Sequence, residues 1–327
     1  MNNDPFIQDI HDFIDRYHLL PPNNTVILGL SGGPDSVFLL HILYEFHKIG
    51  RIKLIAAHLD HEWRTDSAQD VTFCKEKTEA LNIPFIHEKA SNLPDSLQKK
   101  GSKEEIGRRM RRYFLQKVQE EYNADLIALG HHAQDQEETF FIRLIRGATL
   151  SGLTGMKPRD GVYVRPLLQT NKTDIINYLN IHTISYLIDP SNESPSFLRN
   201  RIRLSVLPAL RTCDERFDAN FLRTMHNLQQ TESFLVDLTQ QSFKTIAHLK
   251  ENTWIIDIDS LYKLHPFMQL RAIMHWLISE RVPFTPTERF LEEIKRFLFS
   301  AEKKEHQIHH AWAIVKKGQS ALIHREY

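Results

Sequence analysis

Paired cysteines and long apolar runs are both missing from this sequence of 327 residues. Cys74 and Cys213 stand alone, which argues against a zinc ribbon, an iron–sulfur site or a disulfide scaffold. The longest apolar runs, such as 26–30 and 37–43, fall far short of the roughly 18 residues that a membrane helix needs. The first residues also lack the basic and apolar pattern of a secretion signal. We therefore expect a cytoplasmic protein without a membrane partner.

Net charge is absent as well, because 41 lysines and arginines balance 41 aspartates and glutamates. Overall charge therefore points to neither a nucleic-acid nor a membrane partner. The length is about twice that of a usual domain. We expect two domains, 1–215 and 216–327, with the boundary in the CDERF segment.

Stretches typical of strands alternate with stretches typical of helices through the first domain. Strands are predicted at 26–30, 52–60, 84–88 and 125–130, and helices at 5–18, 66–82, 103–122 and 134–146, with another helix ending near 47. This alternation predicts an α/β fold with a doubly wound parallel sheet. Ligands bind beyond the carboxyl ends of the strands in such a sheet.

Helical periodicity dominates the second domain. The exceptions are a strand predicted at 254–259 and two short strands within 309–324, around a Lys-Lys-Gly turn. Thr285, Pro286 and Glu288 form a pattern that predicts a capping box at the start of a helix. The second domain is therefore predicted to be smaller and mainly helical.

The segment SGGPDS lies where the first predicted strand turns into a helix. Its members are Ser31, Gly32, Gly33, Pro34, Asp35 and Ser36. The glycines let the backbone approach a ligand, and the amides at a helix start suit a phosphate. The hydroxyls add donors, and Asp35 can hold magnesium. A plain turn is the alternative, but the combination favours a phosphate site. A Walker-type nucleotide site is disfavoured because its Gly-x-x-x-x-Gly-Lys-Ser/Thr pattern does not occur.

A basic segment covers 99–112, where seven basic residues face two acidic ones. Glu105, Arg109 and Arg112 share one helix face by their spacing. A solvated surface is the usual explanation of such a segment. Four arginines within 108–112 favour contact with phosphate instead, either of ATP or of a nucleic-acid backbone.

Carboxylates follow another strand end in GHHAQDQEET (130–139). Asp135 and Glu138 are three residues apart at a helix start and can point into one cleft. One carboxylate could bind magnesium while the other orients or deprotonates an amine. The alternative is a helix cap at Asp135, with Glu137 and Glu138 on the surface.

A second basic segment covers 195–212 and contains no acid. Its arginines are Arg199, Arg201, Arg203 and Arg211. A basic helix is one interpretation. We favour a nucleic-acid surface because the DPSN loop (189–192) leads into this segment.

These motifs resemble known families. SGGPDS is similar to the signature of the PP-loop (N-type) ATP pyrophosphatases, which split ATP between the α and β phosphates and use AMP to activate a carbonyl-type oxygen. Across 24–212, the order and spacing of the motifs resemble the tRNA(Ile)-lysidine synthase family. Besides SGGPDS and GHHAQDQEET, those motifs are RLIRGATLSGLTGM (143–156), VRPLL (164–168), DPSN…RNRIR and the pattern of Glu105, Arg109, Arg112 and Tyr113. Gln134 departs from the family, which usually has an aspartate there.

The resemblance implies a ligase that joins free L-lysine to C2 of the wobble cytidine of tRNA(Ile) with a CAU anticodon. The product would read AUA instead of AUG, and AMP and pyrophosphate would be released through an adenylated tRNA. ATP and Mg²⁺ are the implied cofactors. The resemblance also implies that Asp35 and Asp135 hold magnesium, that Glu138 positions or deprotonates lysine, and that Arg109 and Arg112 neutralise phosphate charge.

Binding roles follow from the same resemblance. ATP contacts are expected from the 31–36 loop, His58 and His131, and RNA contacts from Arg108, Arg111, Arg199, Arg201 and Arg203. The tail from 217 resembles a tRNA-binding domain more loosely, with Lys303, Lys304, Lys316 and Lys317 as candidates for stem contacts. The sequence also allows a homodimer.

Three other functions remain open. A PP-loop tRNA thiolase normally needs cysteines for sulfur transfer, yet Cys74 and Cys213 lie outside every motif. An amidotransferase-type synthetase would need a source of ammonia, and no glutaminase domain fits here. A non-catalytic tRNA-binding protein would not need the set of Ser31, Asp35, Ser36 and Asp135.

Overall fold

The computed structural model describes residues 4–99, 101–188, 197–285, 287–301 and 304–325. Lys100, Pro286, Lys303 and the DPSN loop lie outside these residues. The chain divides into two units, Met1–His226 and Asn227–Tyr327. The domain boundary expected at 215/216 stays a prediction.

The first unit alternates strands and helices. In chain order these are α1 (Pro5–Arg16), β1 (Asn24–Gly29), α2 (Pro34–Lys48), β2 (Ile52–Asp60), α3 (Ser67–Glu79), β3 (Phe85–Lys89), α4 (Lys103–Glu121), β4 (Leu126–Ala128), α5 (Ala133–Ile145), α6 (Leu150–Leu153), β5 (Arg159–Asp160), β6 (Tyr163–Val164), α7 (Lys172–Ile181), α8 (Leu198–Arg201) and α9 (Leu207–Cys213). A π-helical turn, Ile202–Val206, joins α8 to α9. The helix α10 (Phe217–Ile246) follows.

The sheet of the first unit has the strand order β3-β2-β1-β4-β6-β5. All neighbours are parallel except β5, which runs antiparallel to β6. The predicted parallel sheet is confirmed, and its edge gains β6 and β5, which the sequence did not indicate. Strand order reverses between β1 and β4, where a doubly wound sheet opens its ligand crevice.

Apolar side chains bury both faces of this sheet. Along β1, Val26 and Leu28 join one core with Phe38 of α2, while Ile27 joins the core on the other face with Phe114 of α4. Successive strand residues point to opposite faces, so an unbroken apolar run is what a strand covered by helices on both sides requires. Helices on both faces therefore fix β1, and with it the position of the loop that follows.

The second unit combines helices with an antiparallel sheet. Its remaining elements are β7 (Ala247–Lys250), β8 (Thr253–Asp257), α11 (Ile258–Lys263), α12 (Pro266–Ser279), α13 (Glu288–Phe299), β9 (Glu305–His309), β10 (Trp312–Lys317) and β11 (Ser320–Arg325). The strand order is β7-β8-β11-β10-β9. The sequence indicated β8, β10 and β11 but not β7 or β9. Trp276 is fully buried in the core of this unit.

The start of α13 differs from the expected capping box. Thr287, rather than Thr285, is the N-cap residue, and its hydroxyl accepts a hydrogen bond from the backbone N–H of Phe290 at 3.2 Å. An N-cap side chain satisfies the amide two or three residues ahead, and Thr287 is correctly spaced for that of Phe290. Across the described ranges, no helix is long and apolar enough to span a membrane.

Candidate functional site

The SGGPDS loop joins β1 to α2, and the hydroxyl of Ser36 makes hydrogen bonds within it. The Ser36 hydroxyl accepts a hydrogen bond from the backbone N–H of Ser31 at 3.1 Å and donates one to the carbonyl of Gly33 at 3.0 Å. Gly33 is the N-cap of α2, and no described side chain caps this helix. The first amides of a helix need acceptors from outside the helix. The loop therefore presents a helix start that suits an anion.

Two glycines allow the close packing around this loop. Gly32 has φ +81°, and a Cβ there would lie 2.6 Å from Cδ1 of Leu187, whose N–H donates to the Gly32 carbonyl at 2.9 Å. A Cβ on Gly130 would lie 3.1 Å from the carbonyl carbon of Asp35. Gly130 follows β4 and Asp35 follows β1, so small residues bring the two motifs together at the point where strand order reverses.

Asp35 and Asp135 approach the same imidazole. His132 Nε2 lies 3.6 Å from Asp35 Oδ2 and 3.5 Å from Asp135 Oδ2. The backbone N–H of His132 also donates to Asp135 Oδ2 at 2.9 Å. Lys172 Nζ lies 3.1 Å from Asp35 Oδ2, while Oδ1 of Asp35 is buried with no hydrogen-bond partner among the described residues. The structure thus brings together the two aspartates that the sequence singled out.

Ionisation differs between neighbouring groups here. Burial opposes the charge on Asp135, but the nearby His132 and Arg199 outweigh it and hold the pKa of this carboxyl below its usual range. Burial lowers the pKa of His131 to about 4. At neutral pH the site therefore combines an ionised Asp135 with a neutral His131.

Glu138 is fully buried on α5 between two guanidinium groups, and both come from the segment after the DPSN loop. Arg199 Nε donates to one oxygen of Glu138 and Arg203 Nε to the other, each at 2.5 Å. Arg199 also donates through Nη2 to Asp135 at 2.5 Å. Two of the arginines expected to bind RNA thus contact the carboxylates expected to bind lysine and magnesium.

Glu137 belongs to a second ionic cluster, in which it is the buried member. Arg211 Nη2 donates to one Glu137 oxygen at 2.5 Å, and Arg211 Nε donates to Asp218 at 2.8 Å. Glu137 is fully buried, and in the described structure its other oxygen has no partner. Burial, reinforced by Asp218 and opposed by Arg211, raises the pKa of Glu137 to about 7. Glu137 and Glu138 are therefore not the surface glutamates of the alternative interpretation.

The remaining candidate residues lie around this centre. Arg109 donates to the carbonyls of Leu97 at 2.8 Å and Lys99 at 3.0 Å, and Arg112 lies over the ring of Tyr163. Neither contact involves the 31–36 loop. His58 is buried beside that loop, with Nδ1 2.9 Å from the Leu30 carbonyl oxygen. The surface carries Arg108, Arg111 and Arg201.

Asp35 and Asp135 can supply part of the coordination shell of a magnesium ion. No group of three potential His, Cys, Asp or Glu ligands occurs within the described ranges. Magnesium in nucleotide sites commonly takes one or two carboxylates and completes its shell with phosphate oxygens and water. Asp35 and Asp135 supply two carboxylates beside the loop, and the unpartnered Oδ1 of Asp35 leaves a buried acceptor to satisfy. These residues therefore fit a metal that arrives with a nucleotide.

Sequence reasoning missed His132 and Lys172. His132 was overlooked because two adjacent histidines after a strand look alike until the backbone direction is known. Lys172 carried a usable signal. It occupies the first position of α7, where the positive end of the helix dipole disfavours a cation, so a lysine there calls for a specific partner.

Comparison with known proteins identifies the class. A family model described as the PP-loop domain matches residues 3–210, and the chain belongs to that family. The fold agrees with the solved U34-tRNA thiolase NcsA from Methanococcus maripaludis, at a TM-score of 0.58 and 19% identity over 69% of this chain and 79% of that one. At this identity the likeness concerns the fold alone.

The resemblance to tRNA(Ile)-lysidine synthases is also confirmed. The chain is 30% identical to the tRNA(Ile)-lysidine synthase of Bacillus anthracis over 304 residues, which cover 90% of this chain. It is 35% identical to that of Clostridium perfringens (strain ATCC 13124) over 275 residues, or 82% of this chain. The matched regions span 64% and 57% of those two relatives.

Proposed function

We propose that the protein forms lysidine on tRNA(Ile) with a CAU anticodon, using ATP and free L-lysine. One observation carries the proposal: Asp35 and Asp135 meet at one imidazole beside a helix start that no described side chain caps. Membership of the PP-loop domain family and the names of the relatives support it. Such an enzyme would work in the cytoplasm, where its tRNA substrate is found.

The first chemical problem is the C2 oxygen of cytidine, which is a poor leaving group. Transfer of AMP to this oxygen, with loss of pyrophosphate, makes it a good one. The 31–36 loop would bind the phosphates through backbone amides and the hydroxyls of Ser31 and Ser36. Asp35 and Asp135 would hold Mg²⁺, which would screen the negative charge of the phosphates. Neutral His131 and buried His58 would line the nucleotide side of the site.

The second problem is the lysine amine, whose usual pKa of about 10.4 leaves only about one molecule in a few thousand neutral at pH 7. Glu138 would position this amine or accept its proton. Its carboxylate lies next to Asp135, and Arg199 bridges the two. If lysine replaces Arg199 or Arg203 at one oxygen of that carboxylate, its amine would lie close to the proposed adenylate.

RNA binding is assigned to basic side chains around the site. Arg108, Arg111 and Arg201 are exposed, whereas Arg199 and Arg203 are partly exposed and also contact Glu138. Arg109 and Arg112 remain candidates for neutralising phosphate charge, although the contacts described above do not involve the loop. The second unit would add stem contacts from lysines such as Lys316 and Lys317. Binding of tRNA should therefore weaken steeply with salt, and a flat salt dependence would contradict an RNA substrate.

The decisive experiment measures pyrophosphate release by the purified protein, omitting each component in turn. Release should require ATP, magnesium and a CAU-anticodon tRNA, and lysine should appear in the tRNA only with all of them. Binding of tRNA without pyrophosphate release would favour a non-catalytic protein. Sulfur incorporation from a sulfur donor would favour a thiolase. Burial raises the pKa of the Cys74 thiol to about 12, which makes it a poor nucleophile for that reaction.

A further inference from the structure

Lys172 lies beside the proposed nucleotide loop at an electrostatic cost. It is the first residue of α7, where the helix dipole disfavours a positive charge. Its ammonium nevertheless lies 3.1 Å from Oδ2 of Asp35, in the first turn of α2. The side chains of Lys172 and Asp35 are 35% and 24% exposed, so a ligand can reach the pair.

Both polar atoms of the Gln134 side-chain amide make hydrogen bonds to residues at the start of α7. Its Nε2 donates to Oδ1 of Asn171 at 3.1 Å, and its Oε1 accepts from the backbone N–H of Lys172 at 2.8 Å. Asn171 is the N-cap residue of α7, so the two bonds fix the residues that open the helix. An ionised aspartate at position 134 could accept but could not donate to Asn171.

We propose that Lys172 is a phosphate-binding residue of the nucleotide site and that Gln134 positions it. This inference rests on the proposed function, in which the 31–36 loop binds the triphosphate of ATP. The ammonium contacts the side chain of Asp35, which lies in the first turn of α2, the helix whose first amides would hold the phosphates. When a nucleotide enters, the ammonium leaves Asp35 for a phosphate oxygen and frees the Asp35 carboxylate for the divalent cation.

Chemistry of the pair supports this exchange. A compact ammonium on a flexible four-carbon stem can move between two anions without changing the backbone. Asp35 keeps a buried, unpartnered Oδ1, so in the described structure Lys172 satisfies only one oxygen of this carboxylate. Gln134 therefore gains a role as the residue that orients the start of α7.

A direct test is the affinity of the full chain for ATP with magnesium, measured by titration calorimetry. Lys172→Met should raise the Kd for ATP about 10- to 100-fold, since a charge-assisted contact is lost. Lys172→Arg should recover most of the affinity. Lys75→Met is the matched control: it removes a lysine from an exposed ion pair with Glu79 on α3 and should leave the Kd unchanged.

The opposite result would overturn the proposal. If Lys172 only neutralises Asp35, its removal would leave the Kd unchanged, or would lower it by giving magnesium free access to that carboxylate. Failure of the wild-type chain to bind ATP would instead overturn the proposed function itself. Thermal unfolding of each variant without ATP distinguishes a lost contact from a misfolded protein.

The positioning role of Gln134 needs a double-mutant cycle. Gln134→Ala should raise the Kd about 3- to 10-fold by loosening the start of α7. In the Lys172→Met background the same substitution should cost almost nothing, because Gln134 acts through Lys172. Additive losses in the double variant would show that Gln134 acts independently and would remove its positioning role.

Discussion

The 31–36 loop and the carboxylates of α5 differ in how completely their polar groups are paired. At the loop, the start of α2 has no described side-chain cap and Asp35 keeps a buried oxygen without a partner. Along α5, Glu138 is bonded through both oxygens to Arg199 and Arg203, and Glu137 is bonded to Arg211. The loop therefore keeps polar groups without a described side-chain partner, whereas most carboxylate oxygens of Glu137 and Glu138 are paired with arginine.

This difference indicates how each region works. Backbone amides without a partner can gain free energy from an incoming phosphate, and a carboxylate oxygen without a partner can gain it from the magnesium that accompanies the phosphate. Carboxylates already bound to arginine gain less from a new cation, but removal of one partner strands a buried charge. Substitutions at the loop should therefore affect nucleotide chemistry, and substitutions at the arginine contacts should affect stability. Glu138 belongs to both groups, because it is a proposed lysine-binding residue and is also paired with two arginines.

The largest effect is expected from Asp35→Asn. Loss of this carboxylate removes a proposed magnesium ligand and the anion that faces Lys172. Pyrophosphate release should fall at least 100-fold, with little change in the free energy of unfolding. Asp95→Asn, at an exposed turn, serves as the control and should keep full activity. A mild loss at Asp35, similar to that of the control, would remove it from the mechanism.

Glu138→Gln should separate the two half-reactions. Its amide keeps an acceptor for one arginine but loses the charge that would attract lysine. Formation of the tRNA adenylate should stay near the wild-type rate, while transfer of lysine falls about 100-fold. Rapid-quench kinetics with labelled ATP and labelled lysine measure both steps. Unchanged transfer would exclude Glu138 from the reaction, and equal losses in both steps would indicate a structural role only.

Arg211→Met tests whether the ion pairs of Arg211 with Glu137 and Asp218 stabilise the fold. It leaves Glu137 buried without its cation and also releases Asp218, so we expect a loss of about 2 to 3 kcal/mol in unfolding free energy. Arg216→Met is the matched control, because Arg216 makes an exposed pair with Asp214. Urea titrations should show no measurable change for the control. Similar stabilities for the two variants would contradict a structural role of the cluster formed by Glu137, Arg211 and Asp218.

Glu137→Gln should change how stability depends on pH. The pKa of Glu137 is raised from an ordinary 4.5 to about 7, so the unfolded chain releases this proton at lower pH than the folded one does. The wild type should lose stability relative to the variant as pH rises from about 4.5 to 7, by roughly 1 to 3 kcal/mol, and no further above that range. Urea titrations at pH 5 and pH 8 measure this. A constant difference between the two proteins would show that Glu137 is already ionised in the folded state.

The sequence predicted the parallel sheet because its strands are apolar runs with clear breaks, as in 26–30. It predicted the loop because glycines, hydroxyls and an aspartate follow one of those runs. Burial of Glu137 and Glu138 was not predictable, since their partners, such as Arg199 and Arg211, lie more than 60 residues away in the chain. Only the tertiary structure shows which carboxylates the arginines of the acid-free segment contact, and their RNA binding stays a prediction.

The short edge strands were missed for a similar reason. Strands β5 and β6 have two residues each, and β6 pairs with β4 on one side and with β5 on the other. Local propensity carries little information over two residues. The start of α13 was missed because Thr285 and Thr287 offer the same side chain, and only the backbone decides which one caps.

The most direct test of the central claim is a crystal structure of the full chain with magnesium and the α,β-methylene analogue of ATP, which resists cleavage at the bond in question. We expect the phosphates at the backbone amides of the 31–36 loop, with the metal against Asp35 and Asp135. An analogue bound elsewhere, with the loop empty although calorimetry shows saturation, would contradict the assignment of this loop as the nucleotide site.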